Sequence, residues 1–204
     1  MTVGGSKNYL VEKWPAWARG LSLFETRQLT TTALLIALMV VSAYIVIPVG
    51  PIPVTLQSGV VLLSGALLGR QYGAICQSVY VAMGLIGLPV LAGGRAGPGM
   101  VFSPSFGYLI GFIAAAYVTG ALLERRDNPS RIQALAAMTL GALTILLFGA
   151  AYLALYLNVV LGTSPGWIGT LAAGVLPFLV GDAAKVLAAA AVFPTLRRLG
   201  VRRG

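Results

Sequence analysis

Leu179-Val180-Gly181-Asp182-Ala183-Ala184-Lys185-Val186 sets an acid and a base inside a run that is otherwise apolar from Trp167 to Leu196. An ionisable side chain near the centre of a membrane helix costs about 2.5–3.5 kcal/mol on insertion scales, so it faces a polar cavity or a partner rather than lipid. Asp182 and Lys185 stand three positions apart. On a helix that spacing brings both to one face and within reach of one small volume.

The rest of the chain says that this run belongs in a bilayer. Of 204 residues, 58% are hydrophobic and 9% charged, and the mean hydropathy is +0.90. Soluble domains carry about a quarter charged residues. The expected fold is an all-α integral membrane protein, long enough for one bundle but not for a bundle plus a soluble catalytic domain. In a soluble protein the net charge of +9 would suggest nucleic acid. Here the basic residues sit in short segments between apolar runs, where they orient the chain in the membrane, and no nucleic-acid partner is expected. Cys76 is the single cysteine and histidine is absent. An intrachain disulfide and a Cys/His metal site are therefore excluded.

Residues 1–28 carry Lys7, Glu12, Lys13, Arg19, Glu25 and Arg27 without an apolar core of signal-peptide length, so a cytoplasmic tail rather than a cleaved signal is expected. Its aromatic part, Tyr9 to Trp17, suits the membrane surface, although Pro15 interrupts any long helix. Six apolar runs follow, at 29–47, 54–69, 72–88, 105–123, 132–161 and 167–196, with Gly69-Arg70-Gln71 as a tight turn between the second and third. They predict a single bundle of six transmembrane helices over 29–196 and a basic tail over 197–204. The second run has only sixteen residues, so it crosses only if upright or if its ends sit in protein. With both termini cytoplasmic, twelve of the fourteen basic residues fall on the cytoplasmic side, as positive-inside placement requires. The exceptions are Arg95 and Lys185, the two that topology does not need.

Arg95 lies in a loop, residues 90–104, whose glycines and prolines permit backbone conformations other residues avoid. No Gly-x-x-x-x-Gly-Lys-Ser/Thr pattern occurs, so the loop is no nucleotide cradle. Gln57, at the outer end of the second run, supplies an amide that both donates and accepts. A pocket open to the outside and floored by the sixth helix would collect Gln57, Arg95, Asp182 and Lys185, with aromatic walls from Tyr80, Phe102 and Tyr108. It suits a small, partly apolar acid with an amide-like or urea-like head. The bland alternative is that Asp182 and Lys185 neutralise each other in a packed bundle. Ala33 and Ala37, four apart in the first run, form a small-residue face that lets another helix approach, within this chain or from a partner.

Several of these blocks, in this order, resemble the BioY family, the biotin-specific S components of energy-coupling factor transporters. They are Pro53-Val54-Thr55-Leu56-Gln57, Gly84-Leu85-Ile86-Gly87-Leu88-Pro89-Val90 with Ala92-Gly93-Gly94-Arg95, Gly107-Tyr108-Leu109-Ile110-Gly111-Phe112, and Gly174-Val175-Leu176-Pro177-Phe178 with Gly181-Asp182-Ala183-Ala184-Lys185. The resemblance spans about 33–192. It implies a biotin site near the external surface, closed by loops including that of Arg95. It also implies a partner face at Ala33 and Ala37 for a transmembrane T component, itself coupled to two cytoplasmic ATPase subunits. No cofactor is expected. Three alternatives stand beside it: a stand-alone carrier for another small carboxylate vitamin, a self-sufficient secondary transporter, and an intramembrane enzyme using Asp182 and Lys185. An internal repeat is not evident, against the second. The enzyme lacks paired carboxylates and any nucleophile beside a base.

Overall fold

The computed structural model describes residues 26–48, 52–126, 128–163 and 165–198. Most of the expected tail over 1–28, with Lys7, Lys13 and Arg19, lies outside them, as do residues 199–204 with Arg202 and Arg203. Among the described residues six α-helices carry the fold: α1 (Thr26–Tyr44), α2 (Gln57–Leu85), α3 (Phe106–Glu124), α4 (Arg131–Leu155), α5 (Gly166–Gly174) and α6 (Leu176–Arg198). Among the described residues four stretches are long and apolar enough to cross a membrane, Gln57–Leu85, Phe106–Glu124, Arg131–Val160 and Leu176–Arg198, with Gln28–Tyr44 a shorter apolar helix.

The α2 segment is not one rod. At Gly69 the backbone turns to φ 82°, ψ −179°, a conformation open to glycine but costly for a residue with a Cβ. Beyond it the chain runs back beside itself. A Cβ on Gly73 would lie 2.8 Å from the Gly65 Cα, and Gln77 Nε2 donates to Ser64 Oγ at 2.8 Å. In a straight helix those two side chains would be about 20 Å apart. Arms 57–68 and 70–85 thus form the tight hairpin read at Gly69-Arg70-Gln71. Glu124 braces the turn by accepting from the Arg70 backbone N–H at 3.1 Å.

The hairpin packs on α3 by backbone approach. A Cβ on Gly65 would fall 2.3 Å from the Ala116 carbonyl oxygen, so only glycine lets the two backbones come so near. Side-chain hydrogen bonds recur inside helices as well, Thr139 and Thr144 donating back to the carbonyls of Leu135 and Leu140. That satisfies hydroxyls where no water is at hand. Ser130 and Gln133 cap α4 reciprocally, each side chain accepting from the other's backbone N–H.

Two expectations need correction. The first run ends as helix at Tyr44, and Val46–Ile47 (β1) pairs antiparallel with Val54–Thr55 (β2). A two-stranded ladder thus interrupts an otherwise all-α fold, because the prolines at 48 and 53 cannot continue a helix. The last run, expected as one helix over 167–196, breaks at Val175 (φ −122°, ψ −53°) into α5 and α6. Pro177 has no N–H to give the preceding turn, so it sits where its ring is tolerated, in the first turn of a new helix. The fifth run closes with one π-helical turn over Tyr156–Val160.

Candidate ligand site

The cavity beneath the loop between α2 and α3 is built from the ends of several elements. Ile52 and Pro53 lead into the ladder and Thr55 belongs to it, Gln57 and Ser58 come from the start of α2, Ala92, Arg95 and Ser105 from the loop, and Tyr108 and Phe112 from α3. Ile145 and Leu146 of α4 and Phe178, Asp182 and Lys185 of α6 complete the wall. The α2 hairpin turn, with its arginine and glutamate, lies at the opposite end of the bundle.

At the base of the cavity three polar side chains close on one another. Ser58 Oγ donates to Asp182 Oδ1 at 2.8 Å, and Lys185 Nζ reaches both Asp182 Oδ1 at 2.8 Å and Ser58 Oγ at 3.0 Å. Asp182 is 6% exposed. A buried carboxylate is tolerable only when paired and hydrogen-bonded, and both conditions are met through Oδ1. Among the described residues no hydrogen bond goes to Oδ2, which remains able to accept from a ligand. Gly59 lies alongside the lysine, where a Cβ would make an ordinary van der Waals contact of 3.5 Å with Lys185 Cβ.

Above this base, Tyr108 lies over Gly149, stacks on Phe178 with ring centroids 5.4 Å apart and donates its hydroxyl to the Gly174 carbonyl. The polar tip is satisfied by the break between α5 and α6, and the ring is left as an apolar wall. Arg95 is half-buried, its Nε donating to the Ala92 carbonyl at 3.0 Å, and it has no carboxylate partner among the described residues. Desolvation draws its pKa below the ordinary arginine value, yet a guanidinium remains charged at neutral pH. Its remaining donors are free for an anion.

Five of the seven residues expected to line a pocket, Gln57, Arg95, Tyr108, Asp182 and Lys185, meet around this cavity. Gln57 is 2% exposed and is held from both sides: Thr55 Oγ1 donates to its Oε1 at 2.9 Å, and its Nε2 donates to the Tyr80 hydroxyl. Tyr80 is fully buried and stands behind the wall, its hydroxyl donating a hydrogen bond to the Val90 carbonyl at 2.8 Å. It holds Gln57 and the loop and is not among the residues that line the cavity. Phe102 is 73% exposed and lines nothing in the cavity, because it ends the short 3₁₀ turn Pro98–Phe102, whose Met100 takes the inward place. Ser58, Phe112 and Phe178 were not foreseen. A serine in an apolar helix carries little signal by itself, and the partners that give it meaning lie 124 and 127 residues away.

Phenols also fasten the loop: Tyr44 of α1 donates to the Pro89 carbonyl at 2.6 Å, Tyr80 of α2 to that of Val90, and Tyr152 of α4 to that of Val101. The cavity beneath has about 50 Å³ of free space, room for about one or two waters.

A helical membrane protein that buries an acid–base pair under a tethered loop, at one end of an apolar bundle, is a ligand-binding membrane protein in class. The BioY family model matches residues 15–202, and the chain belongs to that family. The chain is 36% identical over 177 residues to the biotin transporter BioY of Thermotoga maritima, covering 87% of this chain and 99% of that one. It is 38% identical over 179 residues to the biotin transporter BioY of Rhodobacter capsulatus, covering 83% and 93%. Its fold also matches the crystal structure of the S-component for biotin from an ECF-type ABC transporter, with a TM-score of 0.78 and 28% identity over 86% of this chain and 93% of that one.

Proposed function

We propose that this protein captures biotin at the outer face of the cell membrane and serves as the substrate-binding S component of an energy-coupling factor transporter. The observation that carries this reading is the closed Ser58–Asp182–Lys185 cluster beneath an unpaired Arg95, in a chain of the BioY family. Biotin offers a carboxylate on a flexible tail and a ureido head on a sulfur ring. Arg95 takes the carboxylate, since its fork fits both oxygens. Asp182 takes the ureido N–H donors through Oδ2, and Lys185 keeps Asp182 ionised or meets the ureido carbonyl. Phe112, Tyr108 and Phe178 receive the ring. With about 50 Å³ free, biotin enters only when the Arg95 loop lifts, so the phenol tethers are broken or slackened on loading. The protein binds and releases its ligand unchanged and is not an enzyme.

The chain crosses the membrane six times in this reading, the two arms of α2 counting separately and α5 and α6 together, with both termini cytoplasmic. Residues 29–196 are the membrane domain, flanked by the tails 1–28 and 197–204. Support comes from the α2 hairpin and from the position of Arg70, Arg125, Arg126, Arg131, Arg197 and Arg198 at helix ends away from the cavity. The face of Ala33 and Ala37 serves a transmembrane T component, which couples to two ATPase subunits. Both alanines are exposed while Leu35 and Met39 are buried, which supports a partner for that face over packing within the chain.

Mass spectrometry of the purified protein tests the reading: unmodified biotin retained and exchanged for labelled biotin supports it. A different retained acid, or conversion of added biotin to a product, refutes it.

A further inference from the structure

A second cavity, of about 340 Å³, lies on the side of the bundle between α4 and α6. Leu135, Thr139, Ala142, Leu143 and Leu146 form one wall, and Leu179, Asp182, Ala183, Val186 and Leu187 the other. Each set follows one helix face at three- and four-residue spacing. The gap exists because Ala142 and Ala183 face each other's helices where larger side chains would fill it. Its lips, Leu143, Leu179 and Leu187, are exposed, so it opens sideways to the hydrocarbon. From Leu135 to Leu146 it runs about 16 Å along α4, close to one leaflet of a core about 30 Å thick.

The two helices are antiparallel, since Arg197 Nη2 of α6 donates to the Arg126 carbonyl just before α4 at 3.2 Å. Cations of both helices therefore lie beyond the same end of the groove, Arg131 about 6 Å past Leu135 and Arg198 about 16 Å past Leu187 along their helices. Arg131 precedes Leu135 by four residues and Arg198 follows Leu187 by eleven, so each lies on the groove face of its helix. Both are exposed, and neither has an ion-pair partner among the described residues.

We propose that the seam between α4 and α6 binds an anionic glycerophospholipid, one acyl chain filling the groove and the phosphate headgroup resting against Arg131 and Arg198. The occupant follows from the setting: a mostly apolar slot of leaflet length, lined by aliphatics apart from Thr139 and Asp182 and open to lipid, with two cations free of ion-pair partners beyond one end. Leu146 and Asp182 line both this groove and the ligand cavity, so the tail ends against the wall of the ligand site. The lipid site holds whatever ligand the other cavity takes.

Native mass spectrometry of the full chain, released from mixed vesicles of phosphatidylglycerol and phosphatidylcholine with identical acyl chains, tests this. One phosphatidylglycerol is expected to stay bound in preference to phosphatidylcholine, and Arg131→Ala and Arg198→Ala each to reduce that preference roughly fivefold. Ala183→Phe, which fills the slot, is expected to remove retained lipid of both kinds. Leu143→Trp on the opposite wall replaces it should that variant fail to fold. Equal retention of the two lipids by the parent overturns the proposal. So does an unchanged preference in the arginine variants, undiminished retention when the slot is filled, or a protein chain instead of lipid crosslinked to position 143 in vesicles.

Discussion

The two sides of α2 are built on opposite plans. Toward α3 its hairpin packs backbone to backbone, with Gly65 against Ala116 and Gly120 against the Gly69–Arg70 turn so close that a Cβ on either would fall 2.3 Å from a backbone atom. Toward α4 and α6 it presents Ser58 to a buried ion pair, and the helices leave two cavities. In a bilayer no hydrophobic force drives apolar helices together, so affinity between them rests on close packing and on polar contacts. One seam uses the first and leaves no room. The other uses the second, and a polar contact can hold helices while leaving space for a guest.

The largest effect expected from disturbing this contrast is on the polar seam. Asp182→Ala strands Lys185 in a dry site and should cost about 3–5 kcal/mol, with biotin retention lost as well. The double change to Ala at 182 and 185 should restore much of the stability and none of the binding. Thermal unfolding in detergent, read with and without biotin, measures both. Recovery of binding in the double variant would make the pair structural only.

Arg95→Ala should leave stability unchanged and weaken biotin roughly ten- to hundredfold in titration calorimetry, as loss of a charge-assisted hydrogen bond implies. Against biotin amide, which lacks the negative tail, the same substitution should cost much less. A similar loss for both ligands would mean that the arginine does not hold the carboxylate.

On the close-packed seam the pattern should reverse. Gly65→Val overpacks a site with no give and should cost about 1–3 kcal/mol, with biotin affinity in the folded fraction near that of the parent. Lost affinity at unchanged stability would erase the distinction between the two seams. The smallest stability effect is expected at the exposed alanines: Ala33→Leu should stay within about 0.5 kcal/mol and leave biotin binding intact, while energised uptake into cells carrying the partner subunits falls. Uptake equal to that of the parent would remove Ala33 from the partner face.

Hydropathy is a local property, and so the sequence by itself determined the membrane class, the apolar runs, the turn at Gly69-Arg70-Gln71, and the two cations, Arg95 and Lys185, that orientation does not explain. Asp182 was legible for the same reason, because a carboxylate among aliphatics is expensive wherever the helix points. Direction of a side chain is not local. Tyr80 and Phe102 were both aromatic and near the right end, yet the fold sends one behind Gln57 and the other into the open. Likewise, a proline in an apolar run allows either a kink or a new helix, and the break at Val175 is where the Gly174 carbonyl meets the Tyr108 hydroxyl. Only the tertiary structure brought Ser58 to a carboxylate and an ammonium on a helix more than a hundred residues on. A pairing across that separation depends on how the helices lie against one another, and no stretch of sequence encodes it alone.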